Sequence, residues 1–218
     1  MIKKSICLLI LTSFLFSMAS CSFSSHQPAD TIEETGSEDT KIDWRSAYVD
    51  FLRNDFEPEY NDPRFAFIYV DDNDIPELVI GEGFFHAAGA LLYTYSNGEV
   101  VPVNINDLSE NRFGDYGSIS YKEREGLILH QGMSMGYAGT VIFKIINNEA
   151  EYVIRMNDDE GAVMPGHSPT YTIDDINVSE SEYKKRLAEL DTSGYTSINY
   201  DAMNELTEDR LNSLMQYN

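Results

Sequence analysis

The sequence predicts an α+β fold: an antiparallel β-sheet meander with an N-terminal helix and C-terminal helices packed on it. Three observations lead there. Runs of β-branched and aromatic residues follow one another with short polar connections between Phe65 and Arg155. A helical apolar stripe precedes them. Two capped amphipathic stretches follow them.

The chain opens with MIKKSICLLILTSFLFSMAS, in which Lys3 and Lys4 precede an apolar run from Ile6 to Phe16. A charged start, a short apolar run and small residues Ala19 and Ser20 describe a secretory signal over residues 1–20. The apolar run is shorter than the roughly 20 residues a membrane-spanning helix needs. Met18-Ala19-Ser20-Cys21 resembles the bacterial lipobox, with Met18 where Leu is usual. That resemblance implies lipid on the Cys21 thiol and a new, acylated amino terminus. The simpler alternative is ordinary cleavage after a small residue, leaving a free secreted protein. Multiple acyl chains would hold the chain to the bilayer more firmly than one. Cys7 lies in the leader, so the mature chain keeps a single cysteine and no intramolecular disulfide or Cys₂ metal site is expected.

Residues 21–41 are Cys21 followed by SFSSHQPADTIEETGSEDTK, a polar, acidic stretch with too few large apolar groups for a core. It reads as a tether spanning roughly 25 Å as a coil. Residues 42–218 then form one globular domain. Its first segment, 42–54, places Trp44, Ala47, Tyr48, Phe51 and Leu52 on one helical face, with Asp43 as N-cap. Strands are expected at 65–70, 77–80, 90–95, 99–103, 117–121, 127–130, 140–146 and 151–155. Asn97-Gly98 and Asn147-Asn148 supply tight turns. Ser179 with Glu182 matches a capping box, and Thr207 caps a last helix whose Leu206 and Leu211 form a hydrophobic staple. One sheet, with helices before and after it, is the architecture these signals suggest.

The charge excludes some functions. The chain has 15 Lys+Arg and 37 Asp+Glu, a formal net charge of −22. Removing Lys3 and Lys4 with the leader makes the mature protein about −24. Nucleic acid is not an expected partner, because phosphate neutralisation needs a basic surface. A polybasic grip on anionic lipid is excluded for the same reason.

The run FAFIYVDDNDIPELVIGEG resembles a motif of uncharacterised exported lipoproteins of clostridia and related Firmicutes, which read F-A-L-x-Y-x-D-x-D-x-x-P-E-L before an apolar strand. YTIDDINVSESEY and NELTEDRL are similar to the same group. The resemblance implies a shared exported fold and no particular activity.

Three sets of residues could carry chemistry. In the first, Asp71, Asp72, Asn73, Asp74 and Glu77 crowd acidic and amide oxygens into one loop. Hard cations such as Ca²⁺ take six to eight oxygens at roughly 2.3–2.6 Å. Aligned on Pro76-Glu77, Asp71 and Asn73 hold two of the alternating ligand positions, while Tyr69 stands where a first Asp would be and Asp74 replaces the turn glycine. The plainer alternative is an acidic turn between buried strands. In the second, Gly132-Met133-Ser134-Met135-Gly136 fits G-x-S-x-G, the nucleophile elbow of serine hydrolases, followed by Asp158 or Asp159 and then His167. That elbow must open a helix, whereas Thr140–Ile146 is strand-like, so a glycine-rich bend between strands is the preferred expectation. The third set is histidine: His26, His86, His130 and His167 are scattered without metal-site spacing. The expected function is therefore a lipid-anchored, non-enzymatic ligand- or partner-binding domain on the extracytoplasmic face. Ca²⁺ is its candidate cofactor, and a small serine hydrolase is the competing class.

Overall fold

The computed structural model describes residues 43–59, 61–83, 88–105, 112–162, 166 and 168–216. The expected leader and tether, with Cys21, lie outside these residues, as do His26, His86 and His167.

Helix α1 covers Trp44–Asn54 and begins at Asp43, whose carboxylate accepts from the Arg45 N–H at 3.2 Å. Strands follow at β1 Arg64–Ile68, β2 Glu77–Gly81, β3 Ala90–Ser96, β4 Glu99–Pro102 and β5 Asn104–Ile105. Next come β6 Gly117–Lys122, β7 Leu127–Ser134, β8 Tyr137–Ile146, β9 Glu149–Asp158, β10 Tyr171–Ile173 and β11 Ile176–Asn177. The chain closes with α2 Glu180–Glu189, β12 Thr196–Ser197, a 3-10 turn over Tyr200–Ala202, β13 Asn204–Glu205 and α3 Glu208–Leu214. Ser179 and Thr207 cap α2 and α3, their hydroxyls accepting from the Glu182 and Arg210 N–H groups at 3.2 and 3.3 Å. The fold is α+β with antiparallel sheets, as expected.

The expectation of a single sheet needs correction. Five strands pair in the order β13-β1-β2-β3-β4, and seven more in the order β11-β10-β9-β8-β7-β6-β12, with β5 added parallel to β9. The physical reason lies in the faces of the first sheet. All five residues of β2 are buried, so something must cover both sides of it.

One side is covered by helices. Tyr48, Val49 and Leu52 of α1 and Leu211 of α3 pack with Phe65, Leu78 and Ile80. The other side meets the second sheet, where Ile68, Val79 and Leu92 share a core with Ile128, Val141 and Phe143. A third cluster lies on the far face of the second sheet: Leu129, Ile142, Ile154 and Met156 pack with Tyr171 and with Tyr183 of α2. Alternation along β7 sends Ile128 to one core and Leu129 to the other. The layers are thus helix, sheet, sheet, helix. Full burial of each large side chain in them contributes about 1.5–3 kcal/mol.

Candidate functional site

The G-x-S-x-G segment is the tip of a β-hairpin. Ser134 pairs with Tyr137 and Gly132 with Gly139, and Met135-Gly136 form the two-residue turn with φ of 51° and 87°. Two successive positive φ values match the right-handed strand twist of a type I′ turn. The G-x-S-x-G elbow of α/β-hydrolases turns a strand into a helix; here a strand returns as a strand. The β-branched run Val141-Ile142 in β8 forces that outcome.

The two acids proposed as its partners line the same cleft as Ser134 and are hydrogen-bonded to other groups. Asp158 accepts from the Tyr183 hydroxyl at 2.8 Å. Asp159 accepts from the Thr170 N–H at 2.6 Å and from its hydroxyl at 2.9 Å. His167 lies outside the described residues. The segment is thus the glycine-rich bend between antiparallel strands that the sequence favours over a nucleophile elbow.

The same hairpin nevertheless walls an open cleft of about 390 Å³. Paired glycines create it. Gly132 pairs with Gly139, so two adjacent strands carry no side chain at this point of the surface. A Cβ on Gly139 would stand 3.0 Å from the Asn157 amide oxygen, and one on Gly132 would stand 3.0 Å from the His130 ring. Larger residues form the rim: Tyr116 is 44% exposed, Met133 65% and Tyr137 58%. Asp115, Asp158 and Asp159 also line it, with Ser134, Asn157, Thr170 and Thr172. His130 also lines the cleft; burial lowers its pKa, against the pull of the Asp115 charge and a hydrogen bond to the Asp115 backbone. None of the described lining residues is Lys or Arg.

The acidic loop borders a different cavity, of about 450 Å³. Asp71 and Glu77 line it with Thr94 and Ser96 of β3, Asn97 of the β3–β4 turn, Ile145, and Asn147 and Asn148 of the β8–β9 turn. Glu77 is 1% exposed, and one of its oxygens accepts from the Val70 N–H at 2.7 Å. Burial pushes its carboxyl up from about 4.5 to about 7; backbone hydrogen bonds oppose the rise, and the Asp71 charge adds to it. Local polar bonds explain the rest of the loop. Asp71 accepts from the Asn73 N–H at 3.1 Å, and Asn73 from the Ile75 N–H at 2.6 Å, two overlapping Asx turns. Asp74 stands 3.4 Å from Arg124. Asp72, Asn73 and Asp74 are exposed and do not line the cavity. Of the five expected ligands, therefore, Asp71 and Glu77 share one space. Among the described residues, no group of three or more His, Cys, Asp or Glu side chains is arranged to hold a metal ion.

Sequence reasoning singled out Ser134, Asp158 and Asp159, which line this cleft, and passed over Asp115, Tyr116 and Tyr137, which line it too. The paired glycines were the signal available, because glycine facing glycine across a hairpin leaves a gap. Among the described residues no helix is long and apolar enough to cross a membrane. Compared with known proteins, the chain matches no family model, no curated protein and no solved structure.

Proposed function

We propose that this chain is a lipid-anchored, extracytoplasmic binding protein, tethered through Cys21, whose ligand occupies the cleft at the β7–β8 hairpin. The observation that carries the binding role is the cleft itself. Its 390 Å³ falls in the range of small-molecule sites, and it combines exposed aromatic and thioether groups with a few converging polar ones. Export and anchoring rest on the leader and on Cys21, and the resemblance to clostridial lipoproteins supports both. Catalysis is not part of the proposal, since Ser134 stands in a hairpin turn. A fragment screen followed through methionine methyl NMR signals tests it. Fragments that bind should shift the Met133 methyl, and a screen in which that signal never moves contradicts the assignment.

A second reading concerns Ca²⁺. The cavity beside the acidic loop is lined almost wholly by oxygen-bearing side chains, the donors a hard cation takes. A cation there would be held by Asp71 and Glu77, with Asp72, Asn73 and Asp74 outside its shell. Millimolar Ca²⁺ would then raise the melting temperature above that in EDTA. Asp71→Ala would cancel the rise and Asp72→Ala would leave it intact. No rise in the native protein removes this reading.

A further inference from the structure

We infer that the cavity bounded by the acidic loop and the β3–β4 and β8–β9 turns binds a neutral polyhydroxylated molecule, of the size of a monosaccharide or a cyclic polyol. This is a second site, built from other residues than the hairpin cleft, and it does not depend on a cation between Asp71 and Glu77. The observation that points to a ligand is Thr94. It is 6% exposed and lines the cavity, and no hydrogen bond among the described residues reaches its hydroxyl. A buried hydroxyl needs a partner, so the partner comes from whatever enters the cavity. Water can serve, and a molecule that displaces the water must reproduce its bonds to bind well. A ligand hydroxyl does so, because it donates and accepts as water does.

The rest of the wall asks for the same class. Ser96 offers a second hydroxyl, and Asn97, Asn147 and Asn148 offer amides, each with donors and an acceptor. Asp71 and Glu77 add oxygens that accept from hydroxyl groups. None of the described lining residues is basic, so an anion finds no counter-charge beside Asp71. A bare cation would use none of the amide donors and only a small part of the 450 Å³. A polyol uses donors and acceptors together. The three amides also stand on tight turns: Asn97 has φ of 53°, Asn147 of 50° and Asn148 of 66°. The pairs Ser96–Glu99 and Ile146–Glu149 close those turns. Groups carried on a backbone already fixed lose less freedom when a ligand arrives.

Probes that share a six-membered ring separate the classes: myo-inositol, cyclohexanol and cyclohexylammonium, with glucose, galactose and mannose as further neutral polyols. Each is titrated into the full-length protein with EDTA present, in a polyoxyethylene detergent that carries no sugar. The methyl signal of Ile145, in the cavity wall, is the local reporter. At least one polyol is expected to saturate the site, about tenfold more tightly than cyclohexanol. Thr94→Val keeps the shape and loses the hydroxyl, and should weaken that polyol about fivefold. Asn148→Gly removes an amide at a positive φ that glycine adopts freely, and should weaken it similarly. Two independent variants guard against one of them misfolding, and native-like melting shows which is usable. If cyclohexanol or cyclohexylammonium moves Ile145 as tightly as the best polyol, the polyhydroxylated class is overturned. If a polyol moves Ile145 with the same affinity in both folded variants, it does not use this wall and the inference is overturned. If no polyol moves Ile145, the inference falls alone, since the Met133 screen and the Ca²⁺ melting test read other ligands.

Discussion

The Tyr183 hydroxyl donates a 2.8 Å hydrogen bond to the Asp158 carboxylate. Through it, the helix that covers the outer face of the second sheet is fastened to the wall of the hairpin cleft. Tyr183 is itself 3% exposed, and burial raises its hydroxyl pKa, with Asp158 adding to the shift. The bond ties the packing of α2 to the position of one cleft carboxylate. Tyr183→Phe should preserve the packing with Tyr171 and lose the donor, lowering stability by about 1–2 kcal/mol in chemical denaturation. An unchanged stability would mean that water replaces the hydroxyl without cost.

Glu77 makes stability depend on pH in an uncommon direction. Below its ordinary pKa near 4.5, the folded and unfolded chains both hold the proton. Between about 4.5 and about 7 the unfolded chain ionises while the buried carboxyl stays protonated, so this group's contribution falls as pH rises. Glu77→Gln keeps an oxygen for the Val70 N–H and has no proton to lose. The variant should melt several degrees above the native protein at pH 8, with the difference shrinking toward pH 4.5. A variant less stable at pH 8 would show that the native carboxylate is well satisfied when charged.

Two glycines with positive φ separate backbone strain from close packing. Gly98 has φ of 92° and nothing within 4 Å of a would-be Cβ. Gly136, at 87°, would place its Cβ 2.3 Å from the Ala162 nitrogen. Gly98→Ala should therefore cost about 1 kcal/mol, from conformation alone. Gly136→Ala should cost clearly more and should disturb the Met133 methyl signal. Equal losses would mean that the segment around Ala162 moves aside freely.

Cys21→Ser tests the anchor. The native protein should fractionate with membranes and the variant should appear in the soluble fraction, because no other lipid-attachment site is proposed. Membrane retention of the variant would place the attachment elsewhere.

Parts of this fold are legible in the sequence because their causes are local. Asp43, Ser179 and Thr207 mark helix starts through side chains that reach backbone groups two or three residues away. Strands β1–β4 and β6–β9 show in runs of β-branched and aromatic residues. The pairs Thr196–Ser197 and Asn204–Glu205 are too short to carry any periodicity, and they become strands only because β6 and β1 offer edges. The split into two sheets is equally non-local. Leu78-Val79-Ile80 is apolar throughout, and nothing within that run says whether helix or sheet covers each face. The cleft depends on register: Gly132 must face Gly139 for the gap to open, and the hairpin turn sets that register from outside the pair. Of the acidic loop, the sequence shows the crowding of oxygens. Which of them turn inward depends on the Glu77 bond to Val70 and the Asp74 pairing with Arg124.

The most direct measurement compares one cleft ligand in two proteins. The fragment that shifts the Met133 methyl most strongly is titrated into the native protein and into Gly139→Leu, whose side chain would project onto the face that the paired glycines leave bare. If the cleft is the binding site, the variant loses at least about tenfold in affinity, a difference of roughly 1.4 kcal/mol, while its melting temperature stays near native. Unchanged affinity in a folded Gly139→Leu protein would place the ligand elsewhere and contradict the account.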